Sequence, residues 1–202
     1  MKKILSILFL AASIGCSAQL RYDAEGPRMM LPTLEREASP NYDVNNRDTY
    51  PIYRANHVVL WEKSDGVATF VRQHAIWCTR EATYLAERMY CDSYTPTMYH
   101  PNNTAYIQDC ATGVKYRQTG ELGYPTNLGR YLVRGLYGTC IVNIEVYPPL
   151  PETCTSINYG IDALDDPRFP DAAKEWVTKD LKISDLQKNQ RLMKYNPPTI
   201  VE

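Results

Sequence analysis

The chain is poor in the residues from which catalytic and metal centres are commonly built. It has 3 His in 202 residues, and His57, His74 and His100 are scattered rather than set at a ligand-like spacing. No two cysteines stand as C-x-x-C, so thioredoxin-like and zinc-ribbon readings have no support. A phosphate-cradling glycine loop and a G-x-S-x-G elbow are also missing. So is an excess of charge of one sign. The formal net charge is -1, which leaves no electrostatic footprint for nucleic acid or anionic lipid.

Long apolar runs are confined to the start. Lys2 and Lys3 precede Ile4 to Leu10, and small residues follow at Gly15, Cys16, Ser17 and Ala18. This is the layout of a secretory signal peptide over 1–18, and the stretch is shorter than the roughly 20 residues of a transmembrane helix. Cleavage after Ala18 would leave Gln19 first. Alternatively Ser13-Ile14-Gly15-Cys16 resembles a bacterial lipobox with Cys16 as the lipidated residue, although Ser13 replaces the usual aliphatic side chain. Ordinary secretion is preferred. The expectation is an exported protein, periplasmic, outer membrane-associated or extracellular, with no transmembrane span and with a lipid anchor as the alternative.

What the chain does have is tyrosine, 16 against 3 Phe, which suits half-buried strands whose hydroxyls stay wet. Six cysteines include Cys16. Export therefore predicts bridges among Cys78, Cys91, Cys110, Cys140 and Cys154, at most two of them with one thiol over.

Residues 19–54 read as an extended leader or linker, rich in turn formers. A β domain is predicted over 55–164. Val58 to Trp61 and Val67 to Val71 flank Lys63-Ser64-Asp65-Gly66 as a hairpin. Ala75 to Thr79 and Ala82 to Cys91 read as strands, with a helix over Arg80 to Met89 as the alternative. Tyr106 to Asp109 and Val114 to Tyr116 flank a turn at Gly113. Gly120, Gly123, Pro125 and Gly129 mark a loop. Cys140 to Tyr147 alternates, with Cys140, Val142, Ile144 and Val146 as the dry face and Ile141, Asn143, Glu145 and Tyr147 as the mixed one. Thr155 to Tyr159 is the last predicted strand. A helical tail is predicted over 165–202, with one helix from Asp171 to Leu181 and a second behind a capping box at Ser184 to Gln187. The fold class is mainly β, an antiparallel β-sandwich with a short helical C-terminal tail.

Glu81-Ala82-Thr83, Tyr106-Ile107-Gln108-Asp109 with Thr112 to Tyr116, and Tyr147-Pro148-Pro149-Leu150-Pro151 before Ile157-Asn158-Tyr159 carry a resemblance. Val67 to Tyr159 resembles an uncharacterised immunoglobulin-like module of secreted Bacteroidetes proteins. The resemblance covers about half the chain and implies an immunoglobulin-like sandwich and export. It implies no activity and no catalytic residue.

Candidate chemistry is sparse. His74 and Cys78 share a strand face but stand about 13 Å apart, too far for a nucleophile and its base. Glu81 with Glu87, or Asp109 with Glu145, read as solvated charges rather than acid–base pairs. Trp61, Trp77 and Trp176 read as core. The best binding hint is the loop from Tyr94 to Tyr106, where Tyr94, Tyr99, His100, Asn102 and Tyr106 could contact a protein or stack on a sugar. No enzyme activity, cofactor, metal or nucleic acid is expected. The expected role is a non-catalytic module making protein–protein contacts, with carbohydrate binding as the alternative and a small hydrolase as the least favoured.

Overall fold

The computed structural model describes residues 19–27, 34–38, 43, 45–55, 70–91, 97–99, 104–122, 131–134, 139–162 and 176–193. These residues are mainly β. Twelve strands run as β1 Leu34–Ala38, β2 Ile52–Ala55, β3 His74–Cys78, β4 Thr83–Cys91, β5 Thr97–Tyr99, β6 Ala105–Asp109, β7 Lys115–Arg117, β8 Gly120–Leu122, β9 Tyr131–Arg134, β10 Thr139–Tyr147, β11 Ser156–Ile161 and β12 Trp176–Lys182. A helical turn α1, Phe70–Gln73, precedes β3, and a short helix α2, Ile183–Lys188, follows β12.

The strands form three four-stranded sheets in the orders β1-β2-β9-β5, β3-β4-β10-β8 and β12-β11-β6-β7. Every pairing is antiparallel except β2 with β9. The second and third sheets share one core. Ile76, Cys78, Leu85 and Tyr147 from the second meet Ala105, Ile107, Ile157, Tyr159 and Leu181 from the third. Ile183 and Leu186 of α2 close one margin, and Leu20 joins the same cluster.

Several expectations change. The segment 19–54 is more than a leader. Leu20 is buried, Tyr22 donates its hydroxyl hydrogen to the Leu150 carbonyl at 2.7 Å, and β1 and β2 belong to the first sheet. Phe70 and Val71 form part of α1 rather than a hairpin strand, and the rest of that hairpin lies outside the described residues. Arg80 to Met89 is not helical, because pairing with strands on both sides satisfies the β4 backbone and overrides the helix propensity of its side chains. Gly120 lies in β8 rather than a loop.

The tail differs most. Trp176–Lys182 is a strand paired with β11, so the predicted helix fails over the described part of its length. Residues 176–182 lie beside an open strand edge, and ladder hydrogen bonds there outweigh local preference. The helix that does form starts one residue earlier than its predicted cap. Its N-cap is Lys182, which makes no side-chain cap bond, so Ser184 does not close a capping box. The turn at Gly113 is as expected, with φ at 73° between β6 and β7.

The cysteine expectation is not met where it can be read. Cys78, Cys110 and Cys154 are free thiols. Cys78 and Cys154 are core residues, whereas Cys110 sits in the exposed β6–β7 turn with its thiol 3.4 Å from Asn158 Oδ1. The side chains of Cys91 and Cys140 lie outside those described, as do Cys16 and the signal segment. Among the described residues no helix is long and apolar enough to cross a membrane.

Candidate functional site

Strand β10 buries the face that its sequence makes the wetter one. Asn143, Glu145 and Tyr147 are 6%, 5% and 0% exposed, while Val142 and Val146 on the other face are only half-buried. Register explains which side chains meet there. His74 stands opposite Glu87, and Glu87 opposite Asn143. In the next row Ile76 faces Leu85, Leu85 faces Glu145, and Glu145 faces Glu121. Directly opposed side chains lie about 5 Å apart at Cβ. Three carboxyl groups, one imidazole and one amide are thereby gathered on one sheet face.

Glu145 is the best satisfied of them. Tyr147 donates its hydroxyl to Oε2 at 2.5 Å, and Tyr159 donates from the facing sheet to Oε1 at 3.0 Å. Burial pushes the carboxyl up to about 7 against the pull of both hydroxyls, and Glu87 and Glu121 add to the rise. Burial also raises both tyrosine hydroxyls well above their ordinary value, with the Glu145 charge adding to it, so they remain donors. Glu87 and Glu121 are raised as well, chiefly by desolvation. The Asn143 amide partly offsets the rise at Glu121, and its Oδ1 has no partner.

His74 is locked rather than poised. Its Nδ1 lies 2.6 Å from the Phe70 carbonyl oxygen. A carbonyl can only accept, so the ring proton sits on Nδ1. The imidazole stacks on Phe70 with centroids 3.5 Å apart, and burial lowers its pKa to about 4. At neutral pH the ring is uncharged. Its Nε2 lies 3.6 Å from Glu87 Oε1, too far for a hydrogen bond, and no ion pair forms there. Phe70 also lies 6.2 Å from Trp176, whose ring meets Tyr159 edge-on at 5.6 Å. Trp176 is 45% exposed, an aromatic platform rather than a core residue.

Of the expected ligand-binding residues, only Tyr106 has a described side chain. Tyr94, His100 and Asn102 lie outside the described residues, and only the backbone of Tyr99 is described, in β5. Tyr106 is buried beneath Lys115, whose Nζ stands 3.9 Å above the ring, so it offers no free face. His74 and Cys78 occupy the two ends of β3 and do not form a pair. The Cys78 thiol is pushed up to about 12 by burial, which removes it as a nucleophile. Glu81 is exposed in the turn before β4, while Glu87 is inside. Asp109 spends its oxygens on the Ala111 amide and the Thr112 hydroxyl of its own turn. Among the described residues no group of three or more His, Cys, Asp or Glu side chains is arranged to hold a metal ion.

Glu121, Asn143 and Tyr159 were not singled out by sequence reasoning. The available signal was Asn143-x-Glu145-x-Tyr147, a polar alternation inside an otherwise apolar strand. Comparison with protein-family models, with curated proteins and with solved structures returned no match to this chain.

Proposed function

We propose that the protein is an exported, non-catalytic module that acts through protein–protein contacts in the cell envelope or outside the cell, on an immunoglobulin-like sandwich scaffold. The observation that carries this reading is how fully the reactive groups are committed to the fold. Both Glu145 oxygens are taken by tyrosine hydroxyls, His74 is fixed to the Phe70 carbonyl, and Cys78 is a buried thiol. No nucleophile is paired with a base among the described residues, which an acyl- or glycosyl-transfer site would require. The two sheets that share the core support the sandwich, and the basic, apolar and small-residue order of 1–18 supports export.

A hydrolase draws support from one feature, the convergence of Glu87, Glu121 and Glu145. Chromogenic esters and glycosides separate the two readings. The expected result is no turnover above buffer and no difference between the native chain and Glu145→Gln or His74→Gln. Turnover abolished by either substitution would overturn the non-catalytic reading. Titration with soluble glycans tests the carbohydrate alternative, for which no heat is expected. Peptide mass spectrometry of fractionated cells tests export through a peptide starting at Gln19 or a diacylated Cys16.

A further inference from the structure

Among the described residues, the acidic face offers acceptors without matching donors. Asn143 is only 6% exposed, yet its Oδ1 is unpartnered. Register sets Glu87 directly opposite it, and Glu121 one row away, opposite Glu145. The Asn143 amide is near enough to Glu121 to pull that carboxyl down against desolvation. The donors nearby are spent. Tyr147 and Tyr159 serve Glu145, and His74 Nδ1 serves Phe70. The cations Arg80, Lys115, Arg117, Lys182 and Lys188 pair with Glu152, Asp162, Asp180 and Asp185 instead. Burying an amide oxygen with no hydrogen bond is unfavourable, so an unfilled acceptor here is a place for a donor from outside. Glu87 keeps a third of its side chain exposed, and Glu121 is half-buried on the edge strand β8, so the face is reachable from that side.

We propose that Glu87, Glu121 and the Asn143 carbonyl form a binding site for an organic cation carrying several N–H donors, a guanidinium group above all. This rests on the binding-module reading and names its ligand. A sugar or an alcohol brings acceptors as well as donors, and the site has no free donor to meet them. A divalent metal needs converging ligands, which the described side chains do not supply. A guanidinium brings five N–H groups in a flat fork, no acceptor, and a weakly hydrated charge suited to a half-buried carboxylate pair. The stacked Phe70 and His74 rings give its plane a neighbouring aromatic wall.

Isothermal titration of the full chain with ethylguanidinium chloride tests this, against tetramethylammonium chloride at equal ionic strength. Saturable one-to-one binding of ethylguanidinium is expected, with tetramethylammonium silent because it has charge but no N–H. Glu121→Gln and Glu87→Gln should each weaken it at least tenfold, and Glu81→Gln, outside the cluster, should leave it unchanged. Glu121 is on an edge strand and isosteric replacement there keeps the fold, which circular dichroism verifies. Absent saturation, equal binding of both cations, equal loss in Glu81→Gln, or tighter binding of Ca²⁺ would each overturn the proposal. A blocked Gly-Arg-Gly peptide distinguishes the sources. Tighter binding than ethylguanidinium assigns the site to a partner's arginine, and equal or weaker binding assigns it to a small free cation. Either supports the site. A failed titration leaves the non-catalytic reading standing, since that reading falls only on variant-sensitive turnover.

Discussion

Glu145 and His74 pull stability in opposite directions with pH. The Glu145 carboxyl titrates near 7 in the fold against an ordinary 4.5. Between those values the folded chain holds a proton that the unfolded chain has released, so stability falls as pH rises, by about 3 kcal/mol in full. His74 titrates near 4 in the fold against 6.5. Its contribution is present above 6.5 and is lost as pH falls through that window, because only the unfolded ring takes the proton. The urea midpoint of the native chain is therefore expected to fall between pH 6.5 and 8, where the His74 contribution is complete and no longer changes with pH, and Glu145→Gln should abolish that fall. A midpoint that is flat over the same range in the native chain would show that Glu145 is not held protonated. The thiols give a second check at this scale. Cys110 is exposed while Cys78 and Cys154 are buried, with pKa values near 12. Timed iodoacetamide labelling read by peptide mass should modify Cys110 first, and the two buried thiols only at the rate of unfolding.

At the scale of elements, the outer edge of β3 is sealed by segments remote in sequence. Asp23 accepts from the Cys78 amide at 2.9 Å and donates its own N–H to the Cys78 carbonyl at 2.7 Å. Gln190 donates to the Ile76 carbonyl at 2.7 Å, and Asn189 to that of His74 at 2.9 Å. Gln187 and Gln190 also donate to the Asp23 carboxylate. These bonds occupy an edge that would otherwise template pairing with another chain. Asp23→Ala should cost about 2–3 kcal/mol in chemical unfolding and shift size-exclusion profiles toward self-associated species. An unchanged elution volume would mean that Asn189 and Gln190, just after α2, protect the edge without Asp23. In β11 the neighbour of Tyr106 is Gly160, and a Cβ there would run into the Tyr106 ring. Gly160→Ala should lower stability by roughly 1–3 kcal/mol, with most of the loss recovered when Tyr106→Leu is added.

Across the whole molecule, the two ends of the described chain close one core. Leu20 near the start and Leu186 near the end belong to the cluster that spans the second and third sheets. Leu186 is fully buried, and Leu186→Ala is expected to cost about 2–5 kcal/mol. Because α2 and the β3 edge share that core, tryptophan fluorescence and far-ultraviolet circular dichroism should report the same shifted transition. Two separated transitions in the variant would show that the C-terminal helix folds apart from the sheets.

Much of the β content was legible in local pattern. Alternation found β10, the Gly113 turn placed the β6–β7 connection, and the strands at 75–79 and 155–159 agree with β3 and β11 to within two residues. Composition suggested half-buried tyrosines with wet hydroxyls, whereas Tyr147 and Tyr159 are buried and their hydroxyls bond Glu145. Three things were decided by tertiary structure. Residues 176–182 became a strand because a neighbouring edge offered a ladder, which no window of local propensity contains. The polar face of β10 turned inward because Tyr159, on another sheet, supplies a donor that makes a buried Glu145 tolerable. Glu87, Glu121 and Asn143 share one sheet face because antiparallel register brings together positions 22 to 56 residues apart. Alternation along a strand is a local property of the backbone and can be read in sequence. Register and facing partners depend on which strands pair, and that is settled only when the chain folds.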